Sequence, residues 1–305
     1  MSTLSNRVED TEELRAGPEF PVRSEASPAN RSIIFVHLPK CGGTTLNRLI
    51  EWEYPPTRIF SIDPSFFRWS YRRLLRSSPR RLNRMQAIQG HMPFGIHRIL
   101  PQQATYITVL REPVDRGISE YYYALSRVVH PEHRSIKRLS LDEYIRLTPY
   151  ANVQTKLIAG EDPGYDFLSG ECTEQTLRQA KANLEQHFSL IGLTERFEET
   201  LALARILFGW KIPNYADFNV TRGRPRKEEV PGEIRRVIEE RYGFDAELYR
   251  FAAELFQKMI VRHQAQLPLE VARIKDLRKQ TGDREYYFRA ASAARKIVSR
   301  MHSYI

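Results

Sequence analysis

At 305 residues, with 41% hydrophobic and 28% charged side chains, the chain can bury one substantial core, and its composition excludes disordered, fibrous and collagen-like classes. A formal charge of +10 points to anionic partners such as nucleotides, sulfated or carboxylated polymers, or nucleic acid. The two cysteines, Cys41 and Cys172, exclude a disulfide framework and fit free thiols in a reducing compartment; without an apolar run of spanning length or a secretory leader pattern, the expected location is the cytoplasm.

Residues 1–30 mix Ser, Glu, Arg and Pro without apolar periodicity and are expected to form a mobile, disordered tail. Ile33-Ile34-Phe35-Val36 is a short, β-branched apolar run that predicts a buried parallel strand. A glycine turn follows, and Leu46, Leu49 and Ile50 then take helical spacing. An apolar-flanked strand from about Met85 ends at Gly90, with His91 in the turn beyond it. Further strands are predicted at Tyr106–Leu110, before a helix opened by Pro113, and at Ser189–Leu193, before a helix from about Glu195 to Phe208. Ser140 with Glu143 makes a capping box, Thr173 precedes another helical pattern, and the chain beyond Pro231 reads as two or three helices. This alternation predicts an α/β fold: a P-loop-like, mostly parallel β-sheet flanked by helices on both faces, with extra C-terminal helices. The expected organisation is one catalytic domain over residues 31–265, then a basic helical extension over 266–305.

The turn after the first strand, His37-Leu38-Pro39-Lys40-Cys41-Gly42-Gly43-Thr44-Thr45, has the makings of an anion cradle. Glycines let backbone N–H groups approach a phosphate at a helix N-terminus, the two Thr add hydroxyls, and Lys40 adds a cation. In nucleoside triphosphate loops the Lys follows the glycines and directly precedes Ser or Thr. Here it comes before them. A second site is predicted after Leu110, where Arg111 at a strand end and Ser119 two turns into a helix can converge on one phosphate.

These segments resemble the sulfotransferase family, and within it most nearly the carbohydrate branch that includes heparan sulfate 2-O-sulfotransferases and their bacterial relatives. The resemblance, which covers about residues 33–260, implies 3′-phosphoadenosine 5′-phosphosulfate as donor and 3′,5′-adenosine bisphosphate as product. By it, Lys40 contacts the sulfate and bridging oxygen, Cys41, Gly42, Gly43, Thr44 and Thr45 surround the 5′-phosphate, and Arg111 with Ser119 holds the 3′-phosphate. Arg224, in a basic glycine-containing segment from Asn219 to Pro225, is a further nucleotide ligand. A histidine of a Gly-His segment serves that branch as base, and Gly90-His91 fits it. A strand-end loop is where an open parallel sheet carries its chemistry, and an imidazole titrates in the right range to accept a hydroxyl proton. His91 is therefore the predicted base. His37 ranks as supporting structure, with His97 a weaker candidate still. No metal is required.

The implied acceptor is a hydroxyl of a carbohydrate or glycoconjugate, anionic ones included, and nucleic acid is not the implied partner. Two rivals stand: a P-loop kinase or nucleotide hydrolase using ATP, and a non-catalytic basic module that binds polyanions. Between Pro64 and Arg111 there is no Asp or Glu but a run of Arg from Arg68 to Arg98, read either as a basic wall for an anionic acceptor or as a solvated face. Asn152–Lys156 resembles a stretch seen in bacterial relatives, which implies that its amides line the acceptor cleft. The last forty residues, with Tyr286, Tyr287 and Phe288, are read as a basic amphipathic helix packed on the domain, with contact to a membrane surface or to a partner subunit as the alternatives. Oligomeric state is not legible.

Overall fold

The computed structural model describes residues 31–62, 67–126, 136–160, 170–212 and 223–280, with 293, 294 and 297. The predicted tail, the end of the helix expected to reach Val128, residues 219–222 and the aromatics at 286–288 lie outside the described residues. In chain order the elements are β1 (Ser32–Val36), α1 (Gly43–Glu53), β2 (Ile59–Ile62), α2 (Phe67–Leu75), α3 (Pro79–Leu82), β3 (Ala87–Gly90), β4 (Ala104–Leu110), α4 (Pro113–Ser126), α5 (Leu141–Leu147), α6 (Val153–Ala159), α7 (Glu174–His187), β5 (Phe188–Leu193), α8 (Phe197–Phe208), α9 (Gly232–Arg241), α10 (Gly243–Arg262) and α11 (Leu267–Gln280).

The five strands form one sheet in the order β2-β3-β1-β4-β5, and every pairing is parallel. Consecutive strand residues point to opposite faces, and Ile33, Ile34, Phe35 and Val36 are each at most 1% exposed, so both faces of the sheet are covered. The chain leaves β1 toward one edge of the sheet and later leaves β4 toward the other. Right-handed crossovers in opposite directions place helices on opposite faces and open a crevice at the carboxyl ends beside β1, where nucleotides bind in open α/β sheets.

β2 was not foreseen. It has four residues, between Pro55-Pro56 and Asp63-Pro64, too few to show a pattern of its own, and pairing with β3 holds it in the sheet. The capping box at Ser140 and Glu143 is present in both directions. The helix expected from Glu195 opens as a single 3-10 turn, Thr194–Arg196, before α8. α11, the first helix beyond residue 266, packs along α8 through the buried Ile274 and the Arg205–Glu270 and Arg278–Glu198 pairs, and so shares the main core. No helix among the described residues is long and apolar enough to cross a membrane.

Topology also places the Arg run. α2 starts five residues after the carboxyl end of β2 and runs back down the sheet, and α3 leads into the start of β3. Exposed Arg76, Arg80 and Arg84 therefore sit toward the amino edge, away from the strand-end loops.

Candidate functional site

Four loops converge at the carboxyl edge: residues 37–42 after β1, His91 onward after β3, Arg111-Glu112 after β4 and Thr194 onward after β5. In the first loop Lys40 and Gly42 both take left-handed backbone conformations, with φ of 66° and 75°. This turn aims the start of α1 into the crevice. No side chain caps that helix and its first turn holds no acidic residue, so its leading N–H groups are suited to an external anion. α4 differs, because the Glu112 carboxylate accepts from Asp115 N at 2.9 Å and occupies its N-terminus. The Lys40 ammonium rests 3.5 Å above the Tyr123 ring centre, on α4. Cys41 is buried and free, and burial pushes its thiol up to about 12 even against Arg116 and Arg111, so it is an inert wall of the loop.

The two predicted phosphate clusters touch. Arg111 Nη1 donates to the Lys40 carbonyl at 2.8 Å, which links the strand-end cation directly to the glycine loop. Arg111 Nε donates to Asp115 Oδ2 at 2.8 Å, and Arg224 Nη1 donates to Asp115 Oδ1 at 2.6 Å. One carboxylate thus gathers two of the three predicted nucleotide cations, Arg111 and Arg224. Burial pushes the Asp115 carboxyl up, but Arg224 and Arg111 outweigh it, and its pKa falls below the ordinary 3.8. A depressed carboxyl keeps its clamp above that value and loses it only as pH falls through the lowered pKa. Asp115 was not singled out as a site residue, though the sequence held a signal: Asp115, Ser119 and Tyr123 are four apart and share one face of α4.

Gln154 corrects a reading. Its side chain is fully buried and spans Arg111, accepting from Arg111 N and donating to Arg111 O, each at 3.0 Å, while its Oε1 also takes the Cys41 thiol at 3.4 Å. The amide staples the two loops together and does not line a cleft. Arg116 pairs with Glu120 at 2.8 Å and is fully buried.

β3 ends at Gly90, with φ of 141° and a would-be Cβ 2.5 Å from the Ile62 carbonyl, so only glycine makes this turn. It delivers His91 beside His37, ring centres 4.2 Å apart and 28° from parallel. His91 Nδ1 lies 2.6 Å from the His37 carbonyl, which can only accept; Nδ1 therefore carries the proton, and Nε2 is the basic nitrogen of the neutral ring. His37 itself is buried, with Asn47 Nδ2 at 3.0 Å from its Nδ1; burial, His91 and Lys40 all hold it well below the usual histidine range. His97 is structural: Tyr106 OH accepts from Gly95 N and His97 N, so it donates its own hydrogen to His97 Nδ1 at 2.9 Å. Burial, then His187 and Arg98, lowers His97 to about 4. Ser119 is buried on the α4 face described above, and Thr44 and Thr45 stand in the first turn of α1.

Comparison with known proteins gives the family. The human protein named galactose-3-O-sulfotransferase 3 is 26% identical over 190 residues, 57% of this chain and 43% of that protein. The cattle galactosylceramide sulfotransferase is 25% identical over 283 residues, 85% of this chain and 66% of that one. The Caenorhabditis elegans heparan sulfate 2-O-sulfotransferase hst-2 is 24% identical over 262 residues, 75% and 79% of the two chains. The chain spans about half the length of the galactose-3-O-sulfotransferase 3 relatives it matches, 43% to 48%. The resemblance to carbohydrate sulfotransferases therefore holds, and with the galactose-3-O-sulfotransferase profile matching residues 6–285, nearly the whole sequence, the chain belongs to that family.

Proposed function

We propose that this chain transfers the sulfuryl group of 3′-phosphoadenosine 5′-phosphosulfate to a hydroxyl of a carbohydrate or glycoconjugate. The observation that carries the reading is the 2.8 Å bond from Arg111 to the Lys40 carbonyl, because it sets two anion-binding clusters side by side, as a nucleotide with separate 5′ and 3′ phosphate groups requires. The uncapped start of α1 with Thr44 and Thr45 suits the 5′ end, and Arg111, Ser119 and Arg224 suit the 3′-phosphate. The donor supplies a sulfuryl group on a phosphate leaving group. His91 takes the acceptor proton at Nε2 as the acceptor oxygen bonds to sulfur, and the imidazolium keeps its Nδ1 bond to the His37 carbonyl. Lys40 and the loop amides face the charge that develops on the leaving phosphate oxygen as its bond to sulfur breaks.

Calorimetry with 3′,5′-adenosine bisphosphate and with ATP tests the donor: the bisphosphate is expected to bind more tightly, and tighter ATP binding would favour the kinase reading. A basic polyanion module would instead bind without nucleotide and lose affinity steeply with salt. Asp115→Asn removes the charge that gathers Arg111 and Arg224, so bisphosphate affinity is expected to fall by roughly tenfold, the weight of one charge-assisted contact. Unchanged affinity would remove Asp115 from the nucleotide site. The relatives' names support galactosides and galactosylceramide as the first acceptors to try, with heparan sulfate beside them; mass spectrometry of products formed from labelled donor reads the outcome.

A further inference from the structure

Two stacked histidines stand at this site, and a base assignment has to say what the second one does. We infer that His37 is a positioning residue for His91, an aromatic platform beneath the base and not a second proton acceptor. The inference rests on the reading in which His91 is the base.

Three observations carry it. The rings of Phe35, His37 and His91 form a continuous stack, with 5.5 Å and 11° between the first pair and 4.2 Å and 28° between the second, so His91 has an aromatic floor that is itself floored. Both edges of the His37 ring are committed. Nδ1 faces the Asn47 amide at 3.0 Å, and the Nε2 and Cδ2 edge lies in the space a Gly43 side chain would fill. A general base must come within about 2.6–3.2 Å of the proton it takes. A ring walled by Asn47 and Gly43 and 7% exposed does not offer that approach to an acceptor hydroxyl. Charge points the same way, since the ionisable neighbours His91, after β3, and Lys40, in the loop, both oppose a proton on His37, and burial opposes it more.

A neutral ring beneath His91 suits the reaction. When His91 becomes an imidazolium it does so over an uncharged π-face, with Nδ1 still bonded to the His37 carbonyl. Gly43 gains a second role, because it lets the platform sit against the glycine loop and so registers the base to that loop.

The test compares His37→Phe, His37→Ala, Asn47→Leu and His91→Ala, each checked for folding by circular dichroism and for 3′,5′-adenosine bisphosphate binding by calorimetry. His37→Phe keeps a neutral ring and is expected to retain most of the wild-type kcat. His37→Ala keeps the backbone carbonyl but removes the floor, and is expected to lower kcat by about 10- to 100-fold, the scale of a displaced catalytic group, with the donor KM unchanged. Asn47→Leu leaves the ring in place and serves as the ring-preserving variant should Phe overpack against Gly43; it too is expected to keep most of kcat. A His37→Phe or Asn47→Leu protein that folds and binds nucleotide yet loses as much turnover as His91→Ala would overturn the platform role, as would a fully active His37→Ala. Full turnover in His91→Ala would instead sink the base assignment, and the inference with it, so the two failures are distinguishable.

Discussion

Replacing His91 by Ala is expected to cut sulfuryl transfer by about 100- to 10,000-fold, the range general base catalysis contributes, while 3′,5′-adenosine bisphosphate binds as in the wild type. The expectation follows from how the ring is mounted. The left-handed turn at Gly90 fixes where it leaves the sheet, the His37 carbonyl at 2.6 Å fixes which nitrogen carries the hydrogen, and the stack fixes its plane. Removing the ring leaves the His37 backbone, the glycine turn and the Arg111 bond to the Lys40 carbonyl in place, so turnover should fall without loss of nucleotide affinity. His91→Gln keeps a polar side chain but no titratable base and should be as inactive as His91→Ala. Transfer assays with labelled donor, paired with calorimetry, read both quantities; activity near wild type in either variant would mean that another group takes the proton.

The largest stability effect is expected at Arg116, one turn before Ser119 on α4. Its guanidinium is fully buried, pairs with Glu120 at 2.8 Å, donates to the Tyr150 carbonyl at 2.7 Å and lies over the Tyr242 ring at 4.9 Å. Burial works against its charge, but Glu120, Tyr242 and Asp245 outweigh burial and hold it protonated. Burial pushes the Asp245 carboxyl up against the pull of Arg116, at 3.8 Å, so the countercharge that matters most is Glu120. Arg116→Ala leaves a buried carboxylate without its cation and is expected to cost about 3–5 kcal/mol, read by chemical denaturation. Arg116→Met with Glu120→Gln, which removes both charges and keeps volume, should recover part of that loss. A cost under about 1 kcal/mol for Arg116→Ala would place the pair among the weak surface kind. The position matters for function because α4 carries Asp115, Ser119 and Tyr123 on its loop-facing side, and Arg116 anchors that helix to α10.

Much of this site was legible before any coordinates. The glycine loop, the Arg111 and Ser119 spacing and Gly90-His91 are contiguous segments, each following an apolar run that a parallel sheet buries on both faces. Local sequence therefore specifies both the element and the group it presents. The same logic gave all four predicted strands and the boundaries of several helices. It gave neither β2 nor α6: β2 is an edge strand held by β3 alone among the described strands, and α6 has no side-chain cap to mark its start as the capping box marks α5, so both depend on neighbours distant in sequence.

The sequence by itself determined the α/β class, the order of the phosphate-binding segments and the likeness to carbohydrate sulfotransferases, all of which depend on residues adjacent along the chain. Only the tertiary structure decided that Asp115 joins Arg111 to Arg224, 109 positions further on from Asp115, that Gln154 staples two loops and that His37 lies beneath His91. It also turned the Arg76–Arg84 end of the basic run toward the opposite edge of the sheet. The physical reason is common to all four: strand order and crossover hand set which distant side chains meet, and the identity of a charged or aromatic residue does not encode the partner that the sheet brings to it.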